Sequence, residues 1–272
     1  KPRPGPGGGG GGGSGGGGGA PRAGGGGPPP PGPPPPPPPR GGRAPGAGAA
    51  AFRPISRPPR RARVRVAVFP SGGALLLPHV LPGMVDSGVE VVARDEDVPP
   101  SEVARLLADY DVVLTHRDER AAPIADPRVA TRVLMREPID VVAAPTHRLA
   151  GRTAVAPEEL ADETWLSVRG GFPVDDVLRS IATVTGVQPR IAQRLNDFRV
   201  IETLVATGYG VALMPRYAVG HPALAVLRLS GVRAARMYEL ATRPRAEARP
   251  AVAAVLTAFE SAAATATAEA GR

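Results

Sequence analysis

The first fifty residues cannot build a core. They hold 22 Gly and 16 Pro, with residues 7–19 glycine apart from Ser14 and residues 28–39 proline apart from Gly32. The glycine run is a flexible coil and the proline run a stiff polyproline II rod, and neither buries apolar surface. Residues 1–63 are therefore expected to be a disordered low-complexity segment, and whatever folds must come from about Val64 onward.

The same division resolves the charge. The chain carries 33 Lys plus Arg against 25 Asp plus Glu, a formal +8. Ten of the basic residues, from Lys1 to Arg63, precede Val64 without one acidic partner, and the other 23 face all 25 acids. The excess positive charge belongs to the tail and gives no reason to assign a nucleic-acid partner to the globular part. The 209 residues from Val64 suffice for one large domain or two lobes of roughly 100 residues each.

Several chemistries are excluded by what is missing. There is no Cys, which removes disulfides, thiol catalysis and cysteine metal sites. Lys1 is the only lysine, so no phosphate-loop or Schiff-base lysine lies in the folded part. His79, His116, His147 and His221 are far apart in sequence, with no carboxylate at ligand spacing, and neither metal nor cofactor is expected. No apolar run approaches the ~20 residues of a membrane span, and no signal-like segment is visible, so the expectation is a cytoplasmic protein with no membrane partner.

Apolar periodicity from Val64 onward reads as alternating strands and helices. VRVAVF (Val64–Phe69) is a strand, and Ser71 is placed to cap a helix over Gly72–Ser87. VEVVA (Val89–Ala93) follows, then a helix with Val103, Leu106, Leu107 and Tyr110 on one stripe, then the strand Asp111–His116. Two strands, Val129–Met135 and Ile139–Ala144, precede a loop at Pro145–Gly151. A second series then runs through strands at Trp165–Val168, Ile191–Leu195 and Gly210–Pro215. Between them lie helices marked by Val174, Val177, Leu178 and Ile181, and by Val200, Ile201, Leu204 and Val205. Strands at Leu224–Leu229 and Met237–Ala241 lead to a closing helix with Val252, Val255, Leu256 and Phe259 on one stripe, and the Ala and Thr tail from Ala262 is expected to fray. This order predicts an α/β fold of two Rossmann-like lobes with a cleft between them, of the type 2 periplasmic-binding-protein-like kind. Lobe 1 covers about 64–144 and 230–260, and lobe 2 about 145–229.

Four local patterns in that order resemble the effector-binding domain of LysR-type transcriptional regulators. They are FPSGGALLLPHVLP (Phe69–Pro82), LLADYDVVLTH (Leu106–His116), PIDVVAAPTHRLAGRTAVAPEELADETWL (Pro138–Leu166), which is the most specific, and NDFRVIETLVATGYGVALMPRYA (Asn196–Ala218), which follows it at the right separation. The resemblance implies a small organic effector, often anionic, whose binding shifts the lobes, and a homodimer or higher oligomer formed through the first helix and the edge strand Val89–Ala93. It also implies DNA contact only through a winged helix-turn-helix that should precede Val64, where the Gly and Pro tract stands instead. Pro82 and Gly83 depart from the family's unbroken first helix.

In an α/β lobe a ligand sits beyond the carboxyl ends of the strands, where helix N-termini offer free N–H groups. The candidates are then Ser71, Thr115 and His116, Pro145 and Thr146 at the hinge, Ser167 to Gly171 including Gly170, and Asp197 with Phe198. Several also have a plain structural reading: Ser71 and Asp197 as helix caps, Phe198 as core, Gly170 and Gly171 as a turn. A solute-binding protein of a transporter shares such a fold but needs export. An enzyme needs a cluster of reactive groups, and His116 is the one candidate proton carrier.

Overall fold

The computed structural model describes residues 61–270, so most of the expected low-complexity segment lies outside the described residues. Strand β1 (Ala62–Val68) begins two residues before the expected Val64, because Ala62 and Arg63 already pair in the parallel ladder with Val89 and Glu90 of the neighbouring strand β2 (Val89–Asp95). Val64 and Val66 are fully buried, as the alternation requires. Helix α1 (Pro70–Met84) also starts early, with Pro70 in its first turn and Phe69 at the cap position. Ser71 is thus inside the helix and does not cap it, which corrects the expected role. Pro78 and Pro82 each remove one helical donor, yet the helix persists to Met84.

Helix α2 (Val103–Leu106) is a single turn, shorter than the apolar stripe suggested, although Val103, Leu106, Leu107 and Tyr110 are all buried. Strand β3 (Val112–Asp118) follows. The two strands expected at 129–144 are one, β4 (Ala130–Ala143). Pro138 lies where β4 changes partners, a position that needs no ladder donor, so the proline does not break the strand. The second series comprises β5 (Ala154–Val155), β6 (Thr164–Ser167), α3 (Pro173–Thr185), β7 (Arg190–Arg194), α4 (Phe198–Ala206), β8 (Val211–Pro215) and β9 (Ala225–Leu229). The chain closes with β10 (Ala235–Thr242) and α5 (Pro250–Ala270).

The sheet runs β2-β1-β3-β10-β4-β8-β6-β7, with β9 also on β4 and β5 on β9. The fold is α/β with two lobes. Ala130–Pro138 of β4 pair with β10, whereas Ile139–Ala143 pair with β8 and β9, so the change of lobe falls inside β4 and not at Pro145. Helices α1 and α5 cover one face of the first half around Tyr238 and Phe259, and α2 covers the other. In the second half α3 and α4 enclose a core that contains Trp165.

Helix α5 corrects two expectations. It does not fray at Ala262: Ala262, Ala263 and Ala266 are buried on the stripe that Val252, Val255 and Phe259 begin, and alanine is the strongest helix former. Its segment Pro250–Glu269 is, by length and composition, long and apolar enough to cross a membrane, contrary to the sequence reading. In the fold it packs on α1, β1 and β4 as a core helix.

Candidate functional site

A cleft of about 830 Å³ opens where three helices begin. The two lobes use the same dipeptide there. Phe69-Pro70 leads from β1 into α1, and Phe172-Pro173 leads into α3, each proline taking the first helical turn. Both phenylalanines line the cleft and converge on His116 of β3. Phe69 stacks on the imidazole with centroids 4.1 Å apart and planes at 13°, and Phe172 meets it edge-on at 6.3 Å and 73°. Gly72 makes the first contact possible, because a side chain there would collide with the Phe69 ring. The start of α4 forms the rest of the second wall, with Asp197 capping the helix by accepting from Arg199 N at 2.9 Å.

Behind His116 lies a buried polar cluster centred on Arg236 of β10. The guanidinium is 1 % exposed and pairs through Nε with Glu137 Oε2 at 2.7 Å. Nη1 faces His116 Nδ1 at 3.2 Å, while Nη2 donates to Ser71 Oγ at 3.1 Å and to the Tyr238 hydroxyl at 2.8 Å. The cation also lies over the Phe69 and Tyr238 rings at 5.1 and 4.9 Å. Burial opposes the Arg236 charge, but Glu137 and Tyr238 outweigh it and its pKa rises. Burial pushes the Tyr238 hydroxyl well above its ordinary value. It also drives His116 well below 6.5, with the Arg236 charge acting in the same direction, so the imidazole is neutral.

Glu137 also joins the lobes, since its Oε1 accepts from Tyr217 N at 2.7 Å. Residues Tyr217–Pro222 form a rim of the cleft. Arg216 beside them is held by Asp140 through bonds of 2.7 and 3.0 Å, and Glu202 accepts from Gly220 N and His221 N at 2.6 and 2.9 Å. Across the mouth, Asp97 of the first lobe accepts from Asn196 Nδ2 and lies 3.4 Å from Arg169 Nη2, both in the second lobe. Asn196 Oδ1 in turn accepts from Arg169 N at 3.0 Å. Farther along, Arg120, held to Asp118 at 2.5 Å, reaches Ser180 and the Asp176 carbonyl of α3.

Of the candidates named from the sequence, the cleft brings together Ser71, His116, Asp197 and Phe198, with Val168 from the Ser167–Gly171 stretch, and leaves out the others. Thr115 lies opposite Glu239, on the face of β3 away from His116, because the strand continues to Asp118 and side chains alternate. Pro145 and Thr146 are exposed in a turn beyond the end of β4. Ser167 is buried and does not line the cleft, although the next residue, Val168, does. Gly170 lies in the turn beside Asp175 and Arg179. Sequence reasoning missed Arg236, Glu137, Asp97, Asn196, Phe69 and Phe172. The repeated Phe-Pro dipeptide was the available signal for the last two.

Two α/β lobes with a cleft at their helix N-termini define a two-lobed small-molecule-binding domain. Residues 58–264 match the LysR substrate binding domain, and the chain belongs to that family. It is 33% identical over 157 residues to the small neutral protease regulatory protein of Streptomyces coelicolor, covering 56% of this chain and 46% of that protein. It is likewise 33% identical over 93 residues to the HTH-type transcriptional regulator ShiR of Corynebacterium glutamicum, covering 34% and 32%. The chain thus spans less than half the length of these relatives. Among solved structures it resembles an OxyR C206 mutant of Corynebacterium glutamicum, with a TM-score of 0.63 at 22% identity over 78% of this chain and 69% of that one. The effector binding domain of QuiR in complex with shikimate also has a TM-score of 0.63, at 17% identity over 75% and 98%.

Proposed function

We propose that this chain is the effector-sensing domain of a LysR-type transcriptional regulator, which binds a small organic metabolite between its lobes to control transcription. The observation that carries this reading is the cleft itself, with a preformed polar cluster on one wall and helix starts on the other, bridged at its mouth by Asp97. A ligand touching both walls favours one relative placement of the lobes, and differential affinity is what a switch requires. The domain is a binding module and not an enzyme. His116, its candidate proton carrier, is wedged between two rings and held neutral beside a cation. DNA contact belongs to a segment other than the two lobes, and the regulator acts in the cytoplasm as a homodimer or higher oligomer. Self-association is assigned to α1 and β2, since β2 is an edge strand and Leu81 on α1 is exposed.

The test is a metabolite panel read by melting temperature. A ligand at a hundredfold excess over its Kd stabilises the native state by about 2.7 kcal/mol. Ser71→Ala is expected to weaken the effect and Thr115→Ala to leave it unchanged. Binding that Ser71→Ala does not touch sinks the assignment of the cleft. Sedimentation showing only monomer at micromolar concentration counts against the oligomer.

A further inference from the structure

On the reading just proposed the cleft takes a small effector, and its inner end narrows the chemistry of that effector. A guanidinium only donates, so His116 Nδ1, which faces Arg236 Nη1 at 3.2 Å, is the acceptor and carries no hydrogen. The proton of the neutral ring is therefore on Nε2. That nitrogen is buried without a partner among the described residues, on a side chain that lines the cleft. The ring cannot turn away to find one, because Phe69 covers its face and Phe172 of the other lobe meets its edge. A buried N–H held in this way is completed by an acceptor arriving from the cleft.

The charge around it is already balanced. Arg236 and Glu137 neutralise each other at 2.7 Å, Tyr238 keeps its hydroxyl proton, and Asp118 on the same face of β3 is held by Arg120 at 2.5 Å. Ser71 Oγ accepts from Arg236 and retains its own O–H to donate. Among the described residues a carboxylate at this end finds no unpaired cation, because Arg236, the cation that lines it, is already bound to Glu137, and the partial charge of the α1 terminus does not offset the hydration that the carboxylate gives up. An uncharged oxygen meets no such penalty. We propose that the inner end of the cleft binds an uncharged oxygen acceptor of the ligand, such as a carbonyl, amide or hydroxyl, through His116 Nε2–H and Ser71 Oγ–H, and excludes a carboxylate from that position.

The probes are benzamide, benzyl alcohol and benzoate at millimolar concentration, followed by NMR of the nitrogen-15-labelled protein. In the free wild-type protein His116 is expected to show the Nε2-protonated neutral form throughout pH 5.5–8. Benzamide and benzyl alcohol are expected to shift the His116 and Ser71 signals, with benzoate at least tenfold weaker there, and His116→Phe, which keeps the stack on Phe69, to weaken benzamide at least tenfold. A proton on Nδ1, or titration near neutral pH, overturns the proposal on the wild-type protein alone, whether or not the variant folds. Benzoate that matches benzamide at His116, or probes that move Phe198 and Thr203 without moving His116, overturn it and leave the cleft reading intact. Probes that move no cleft residue overturn the cleft reading and the proposal with it.

Discussion

On the first-lobe side of the cleft, Arg236 and Glu137 are 1 % and 0 % exposed and bind each other, Tyr238, His116, Ser71 and the rim backbone. On the second-lobe side, Asp197 and Arg199 are exposed, and among the described residues their one bond to each other is a helix cap. The first wall is fixed before any ligand arrives, because each of its groups is held by others that are themselves buried. The second wall owes its shape to the starts of two helices, α3 at Phe172-Pro173 and the nine-residue α4. On the proposed reading, binding energy would go mainly into placing the second wall against the first, and that asymmetry is what would move one lobe against the other.

The comparison is tested most severely by removing half of the buried pair. Arg236→Ala or Glu137→Ala leaves an uncompensated charge in the core and is expected to cost about 3–5 kcal/mol in chemical denaturation. A loss below about 1 kcal/mol means that the first wall is not rigid.

Acid tests the same wall without a mutation. The folded-state pKa of His116 is below its unfolded value, so below pH 6.5 the unfolded chain binds a proton that the folded chain refuses, and stability falls as pH falls. As pH falls from 6.5 towards the lower folded-state value, the slope from this group is expected to rise to at most about 1.4 kcal/mol per pH unit, and His116→Phe should remove it. A slope unchanged in the variant means that His116 is not the group responsible.

The second wall should respond weakly. Asp197→Ala removes the α4 cap and is expected to cost about 1 kcal/mol, while Arg199→Ala should stay within about 0.5 kcal/mol. A loss above about 2 kcal/mol in Arg199→Ala would erase the contrast between the walls. Asp97→Ala should likewise cost only about 0.5 kcal/mol, because its partner Arg169 is 60 % exposed. Its readout is a larger radius of gyration by X-ray scattering, as the mouth of the cleft loses its bridge.

Most elements were legible from apolar spacing, since Val103 with Leu106, or Ile201 with Val205, falls on buried helical faces. The family resemblance identified the fold. What periodicity could not supply was partner choice. Pro138 reads as a break, yet β4 continues because the proline sits where one neighbour ends and the next begins. Thr115 and His116 were named together because the strand was taken to end there. Two further residues of strand make their difference in facing decisive. Arg236 was hidden because a lone arginine before Met-Tyr-Glu-Leu looks like a strand flank. Its meaning depends on Glu137, 99 residues earlier in the chain.

Strand β4 is a shared beam. Its first nine residues are built into one half of the sheet and its last five into the other, so neither half owns a complete set of strands. A cut in the exposed turn after Ala143 would leave β8 and β9 without their antiparallel neighbour on their own fragment. The two halves therefore have no independent melting points to report. The molecule should come apart as a single cooperative unit.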